Sequence, residues 1–120
     1  MSNPERKKIA WDETWNAAYG WYSELASGSV NSMKMKNLVE KLMSAPDLAG
    51  LFAHTTAASL VISPYSIYPD WAEGRRISLQ ARGENVVRVQ LNALGGEPET
   101  WDVEFATAAE LVKRLCSKNL

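Results

Sequence analysis

The apolar residues of this chain change their period partway along it. From Trp11 to Leu25 they recur at spacings of four, three, four and three (Trp11, Trp15, Ala18, Tyr22, Leu25), one continuous stripe on a helix. At about 100° per residue, Tyr19 lies about 80° to one side of Trp11 and Trp21 about 80° to the other, so the aromatic sector is broad. The pattern predicts a first helix from Pro4 to Ala26, with Ser2 and Glu5 at capping-box spacing and Pro4 in the first turn. Asp12 as N-cap is the alternative start. Ser27-Gly28-Ser29 ends the helix, with Gly28 as a left-handed cap. A second helix is predicted from Ser32 to Ser44, with Met35, Leu38, Val39 and Leu42 inward and Lys34 and Lys41 on the wet side. Pro46 stops it. Asp47 to Ala53 is expected as one more short turn with Leu48, Leu51 and Phe52 facing inward.

Beyond this point the period becomes two. Ser59 to Ser63 is a β-rich run closed by Pro64, and it contains one of the longest apolar runs, Leu60-Val61-Ile62. Arg76–Arg82, Val86–Ala93 and Glu99–Ala106 alternate, with Ile77, Leu79, Ala81, Val87, Val89, Leu91, Ala93, Trp101, Val103 and Phe105 on one face. Gly83-Glu84-Asn85 and Leu94-Gly95-Gly96-Glu97-Pro98 are turn sequences. The inward residues are odd-numbered on all three strands, so opposed residues must share parity. A three-residue first loop pairs Leu79 with Val89 and Gln80 with Arg88. A five-residue second loop pairs Val89 with Val103 and Arg88 with Glu104, and puts Asp102 beside Gln90 and Thr100 beside Asn92. A final helix is expected from Thr107, with Thr107 and Glu110 as a capping box, Leu111, Val112 and Leu115 inward, and Lys113, Arg114 and Lys118 toward its C-terminal end. The expected architecture is α+β in a single domain, 1–120: two N-terminal helices, a four-stranded antiparallel meander and a C-terminal helix, with the helices on one sheet face.

Composition narrows the function classes. With 46% apolar and 22% charged residues the chain is globular in character, and 13 basic against 14 acidic residues leave a net charge of −1. That balance argues against a protein that coats duplex DNA through a general basic field. One cysteine and one histidine argue against a disulfide framework and a structural zinc site, so no metal or cofactor is expected. There is no phosphate-loop or dinucleotide fingerprint. The charged start and the lack of a stretch of roughly 20 apolar residues predict no membrane segment. With the lone Cys116, they suggest the cytoplasm.

Catalysis has one candidate base, His54, with Thr55 and Thr56 as neighbouring hydroxyls and Asp47 as an orienting group. The competing reading is a histidine that bonds the backbone. The outward sheet positions Arg76, Ser78, Gln80, Arg82, Arg88, Gln90, Asn92, Thr100, Asp102 and Glu104 include no aromatic, which argues against a single-strand or RNA reader.

Two features exceed what a plain core requires. Trp21 lies off the main stripe, and is read either as core or as an interface anchor, including a homodimer contact through the first helix. The Pro64–Arg75 connection carries Tyr65, Tyr68 and Trp71 at every third residue, followed by Arg75 and Arg76. Tyrosine, tryptophan and arginine are the types enriched at hot spots, and two prolines limit the freedom of the loop. Its rings either bind a partner or fold back over the open end of the core. The sequence therefore points to a non-enzymatic protein-protein binding module, of an immunity, inhibitor or adaptor kind, that occludes a partner surface. A small-ligand or nucleic-acid binder, and an enzyme using His54, are the alternatives.

Overall fold

The computed structural model describes residues 11–25, 28–56, 59–66, 70–83, 85–92 and 97–120. Helix α1 spans Trp11–Leu25 and buries Thr14, Trp15, Ala18 and Tyr22. The expected stripe is therefore inside only at its centre, and its two ends, Trp11 and Leu25, stay exposed. The expected segment before Trp11, with Ser2, Pro4 and Glu5, lies outside the described residues, and the Gly28 cap adjoins 26–27, which do as well.

Helix α2 spans Val30–Met43, two residues earlier than its expected start, because Ser29 is the N-cap and its side chain accepts from the Ser32 N–H. Its inner face is Met35, Leu38, Val39 and Leu42, as the period requires. A 3-10 turn at Pro46–Leu48 follows.

The sheet has five strands among the described residues, one more than expected, in the order β1-β2-β3-β4-β5 with every pair antiparallel. The extra strand is β1, Phe52–Thr55, in the region expected to be a turn. It hairpins with β2, Leu60–Ser63, and the Thr56 N–H closes the connection on Ser59 C=O at 2.9 Å. Four residues with one inward apolar side chain, Ala53, are too short to display a period. Phe52, expected inward, is only half-buried; it pairs with Ser63 on the opposite face.

Strands β3 (Arg76–Ala81), β4 (Val86–Asn92) and β5 (Glu99–Glu104) complete the meander. The β3–β4 register matches the parity argument, with Leu79 opposite Val89 and Gln80 opposite Arg88. The β4–β5 register is displaced from the expected one by two residues: Val89 faces Trp101, Arg88 faces Asp102 and Gln90 faces Thr100. Parity decides which residues share a face, but two registers that differ by two residues satisfy it equally. In the observed one Arg88 grips Asp102 through two hydrogen bonds of 2.8 and 3.1 Å.

β5 runs without a loop into α4, Phe105–Asn119. The expected capping box does not form, because the helix starts two residues before Thr107. Thr107 Oγ1 instead donates to Glu104 C=O at 3.1 Å, and Glu110 takes Lys113 at 3.2 Å. Ala108, Ala109, Val112, Leu115 and Cys116 are buried beneath α4, while Leu111 is half-buried.

One core holds these layers together. Ala53, Leu60, Ile62, Ile77, Leu79, Val87, Val89 and Leu91 meet Trp15, Val39, Leu42, Leu48 and Val112 in a single cluster. Strand β2 is covered on both sides, since Val61 and Ser63, which point away from the helices, are buried as well.

The edge strand is fastened by α1. Thr14 Oγ1 accepts the buried Ala53 N–H at 2.9 Å, and Trp15 Nε1 donates to Leu51 C=O at 2.9 Å. Thr14→Val keeps the shape and leaves that N–H without a partner, so it should lower unfolding stability by about 1–3 kcal/mol. Urea titration of the two proteins measures the difference; equal midpoints and slopes would show that the bond contributes nothing.

Candidate functional site

The connection between β2 and β3 lies over the outer face of β1 and β2. It contains one helical turn, α3, Asp70–Glu73. Trp71 of α3 stacks on the His54 ring of β1, with centroids 4.5 Å apart and planes 11° from parallel. His54 Nε2 sits 3.0 Å from Tyr65 C=O. A carbonyl only accepts, so Nε2 carries the hydrogen there. Partial burial lowers the His54 pKa, and the bond to the Tyr65 carbonyl works against that shift. The ring is thus a backbone-bonded histidine.

The proposed orienting group, Asp47, raises the Cys116 thiol instead, adding to a burial that pushes it up to about 12. The structure therefore associates Asp47 with the α4 cysteine and gives it no bond to His54. Among the described residues no three His, Cys, Asp or Glu side chains gather as metal ligands.

The expected contact residues fall in two places. The first is the loop. Tyr65 N–H donates to Ser63 Oγ at 2.9 Å, and the Tyr65 ring lies against Gly74. Arg75 reaches Asn119 C=O at 3.5 Å and Arg76 reaches Gly74 C=O at 3.0 Å. All four of Tyr65, Trp71, Arg75 and Arg76 are half-buried, and their described contacts are within the chain. Tyr68 lies outside the described residues.

The second place is the far end of α1. Trp21 is 42% exposed, and with Leu25 (43%), Val30 (61%) and Met33 (51%) it is among the most exposed large apolar side chains of the described residues. Trp21 and Leu25 are one helical turn apart, as are Val30 and Met33, and a small hollow between the two helices is lined by Trp21, Leu25, Asn31 and Ser32. The Asn31 Oδ1 there is buried with no hydrogen-bond partner.

Sequence reasoning singled out Trp21 and missed Leu25, Val30 and Met33. The signal for Met33 was present: two residues from Met35, it sits about 200° around the helix from the buried face.

A cleft of about 510 Å³ opens between the other end of α1 and the free edge of β1. Glu13, Thr14, Ala17 and Ala18 form one wall, Ala53, His54 and Thr55 the floor, and Trp71 the far side. On the outer sheet face, Asp102 is held below its usual carboxylate range by the hydrogen bond from Arg88. No described helix is long and apolar enough to cross a membrane.

Comparison with protein-family models, with curated proteins and with solved structures finds no match.

Two outcomes follow for the loop. A Cβ at Gly74 would lie 2.8 Å from the Asp70 carbonyl oxygen and collide with the Tyr65 ring, so Gly74→Ala should destabilise the protein by about 1–3 kcal/mol. A thermal melt unchanged from the parent would contradict that packing. His54 has a folded pKa below its ordinary 6.5, so the unfolded chain binds the proton more tightly. Stability from this group is then fully present above pH 6.5 and is lost as pH falls through the folded pKa. The urea midpoint measured across this range should drop toward acid, and His54→Gln should flatten the drop.

Proposed function

We propose that this chain is a non-enzymatic protein-binding module that acts by covering a surface of its partner, in the manner of an immunity protein, an inhibitor or an adaptor. The observation that carries this reading is the exposure of four large apolar side chains, Trp21 and Leu25 at the end of α1 and Val30 and Met33 at the start of α2. A monomer gains nothing from holding a tryptophan, a leucine, a valine and a methionine in water. Large apolar side chains left exposed among polar ones are a usual mark of a docking surface. Here Glu24 on α1 and Asn31 and Ser32 on α2 are their polar neighbours in sequence. A rigid two-helix platform loses little entropy on association, and a tryptophan at its centre supplies the type of anchor that dominates binding energy.

The loop residues Tyr65, Tyr68, Trp71, Arg75 and Arg76 belong to this reading as a second contact region. Against them stands the inward bonding of both arginines. The outward face of β3, β4 and β5 does not favour nucleic acid, because its Arg88 is neutralised by Asp102 and no aromatic stands among the outward residues of those strands. A buried, unreactive Cys116 accords with a reducing compartment, and the reading places the protein in the cytoplasm with another protein as its partner.

The test is affinity capture from lysate of the native host, with the double variant Trp21→Ser, Met33→Ser as the control. Both side chains are largely in water, so the variant should melt within a few degrees of the parent. The expected result is a stoichiometric protein that survives a high-salt wash with the parent and is lost with the variant. Equal recovery by both proteins, or only nucleic acid removed by salt, would overturn the reading. Sedimentation of the purified parent identifies the case in which the partner is a second copy through α1.

A further inference from the structure

The hydrogen-bond alternation of the β1–β2 pair fixes which backbone groups of β1 face outward. Thr56 N–H bonds Ser59 C=O, so that pair is hydrogen-bonded, and alternation makes Thr55–Leu60 and Ala53–Ile62 the non-bonded pairs. The N–H and C=O groups of Ala53 and Thr55 therefore point away from the sheet. Helix α1 satisfies the first of them, since Ala53 N–H goes to Thr14 Oγ1. Among the described residues nothing bonds the remaining three: Ala53 C=O, Thr55 N–H and Thr55 C=O. Ala53 and Thr55 are floor residues of the 510 Å³ cleft.

The two sheet edges are treated differently. The outer strand β5 carries exposed Glu99, Asp102 and Glu104, which is how natural sheets discourage pairing with another chain. The Thr55 end of β1 carries no charge. Where α1 passes it, the helix presents Ala17 and Ala18, whose small side chains leave the space open. Among the described residues the only charged side chain lining the cleft is Glu13, with Asp12 beside it in sequence, and none of the lining residues described is a lysine or arginine. His54 carries no compensating charge near neutral pH, since burial lowers its pKa. The far side is the Trp71 ring, held in place by its stack on His54.

We propose that the open end of β1 takes an extended, basic peptide segment of a partner protein as a sixth strand. Its backbone bonds the N–H and C=O of Thr55, since Ala53 is buried under α1. Side chains of one parity point to the α1 wall, where a lysine or arginine meets Glu13, and those of the other parity lie along Trp71. Backbone bonds supply affinity in this mode, and the alternate side chains supply the choice of sequence. The surface is separate from the Trp21–Met33 face, so either can fail without the other.

The probe is a short fluorescein-labelled peptide alternating lysine and valine, followed by fluorescence anisotropy. Three comparisons accompany it: the same peptide N-methylated at alternate backbone nitrogens in each of the two phases, and a peptide with glutamate in place of lysine. The lysine–valine peptide should bind with a Kd below about 1 mM. N-methylation in the phase that removes the donor to Thr55 C=O should weaken it about tenfold, and in the other phase much less. The glutamate peptide should not bind. Thr55→Pro removes the outward N–H without touching the ladder and should weaken binding about fivefold or more. Ala17→Phe, at an exposed helix position, fills the cleft and should abolish binding; it keeps the question open to test if the proline variant unfolds.

Absence of binding overturns the proposal, as does equal binding of both N-methylated peptides with the parent peptide, which would mean charge attraction alone. A peptide-free dimer that Thr55→Pro converts to monomer also overturns it, because the edge would then belong to a second copy of this chain.

Discussion

Thr14 and Trp15, adjacent on α1, bind a helix to the backbone of Ala53 in β1 and of Leu51 just before it, 39 and 36 positions further along the chain. The rest of the arrangement depends on this attachment. It satisfies an outward N–H at the sheet edge and the carbonyl of the residue before the strand, so β1 can end the sheet on that side without a second strand beyond it. It also sets the rotation of α1. With Thr14 and Trp15 turned to the strand, Ala18 and Tyr22 follow into the core, and Trp21 is carried round to the outside. The exposed tryptophan is thus a geometric result of how the helix is pinned. The cleft arises from the same attachment, because α1 closes over the edge at Ala53 and leaves Thr55 beyond its reach.

Most of the fold was legible in the residue pattern, and where it was not, the reason is physical. The helix layer, the meander and the buried faces of α2 and β4 follow from periods of 3.6 and two sustained over many residues. Strand β1 escaped because it is short and because its outer residues, Phe52 and His54, are half-covered by a loop distant in sequence. The β4–β5 register escaped because face parity cannot distinguish shifts of two. The start of α4 escaped because a residue can be the last of a strand and the cap of a helix at once, as Glu104 is, and no turn signal then marks the boundary.

The candidate surfaces were less legible than the fold. Trp21 announced itself by its angle from the stripe, and Met33 by its angle from Met35, yet Leu25 sat on the predicted buried stripe and is exposed because the helix layer ends there. The cleft was invisible in the sequence. It is built from alanines, a threonine and backbone groups, none of which carries a chemical signature, and it exists only because a helix and a strand end at different places. Tyr65 and Trp71, which did carry a signature, are engaged over the outer face of β1: Tyr65 bonds His54 through its carbonyl and Trp71 stacks on the imidazole.

The strand order repeats the order of the chain, and this has a kinetic side. Each strand pairs with its predecessor, so every closure in the sheet is between neighbours in the chain, the longest being the 64–75 connection between β2 and β3. The attachment of α1 is of another kind, since it brings together segments more than thirty residues apart. Its partners lie on and beside the β1–β2 hairpin that it clasps. Wherever this attachment is open, the outer N–H and C=O groups of Ala53 join those of Thr55, and the edge that another chain could pair with lengthens from one residue to the whole of β1.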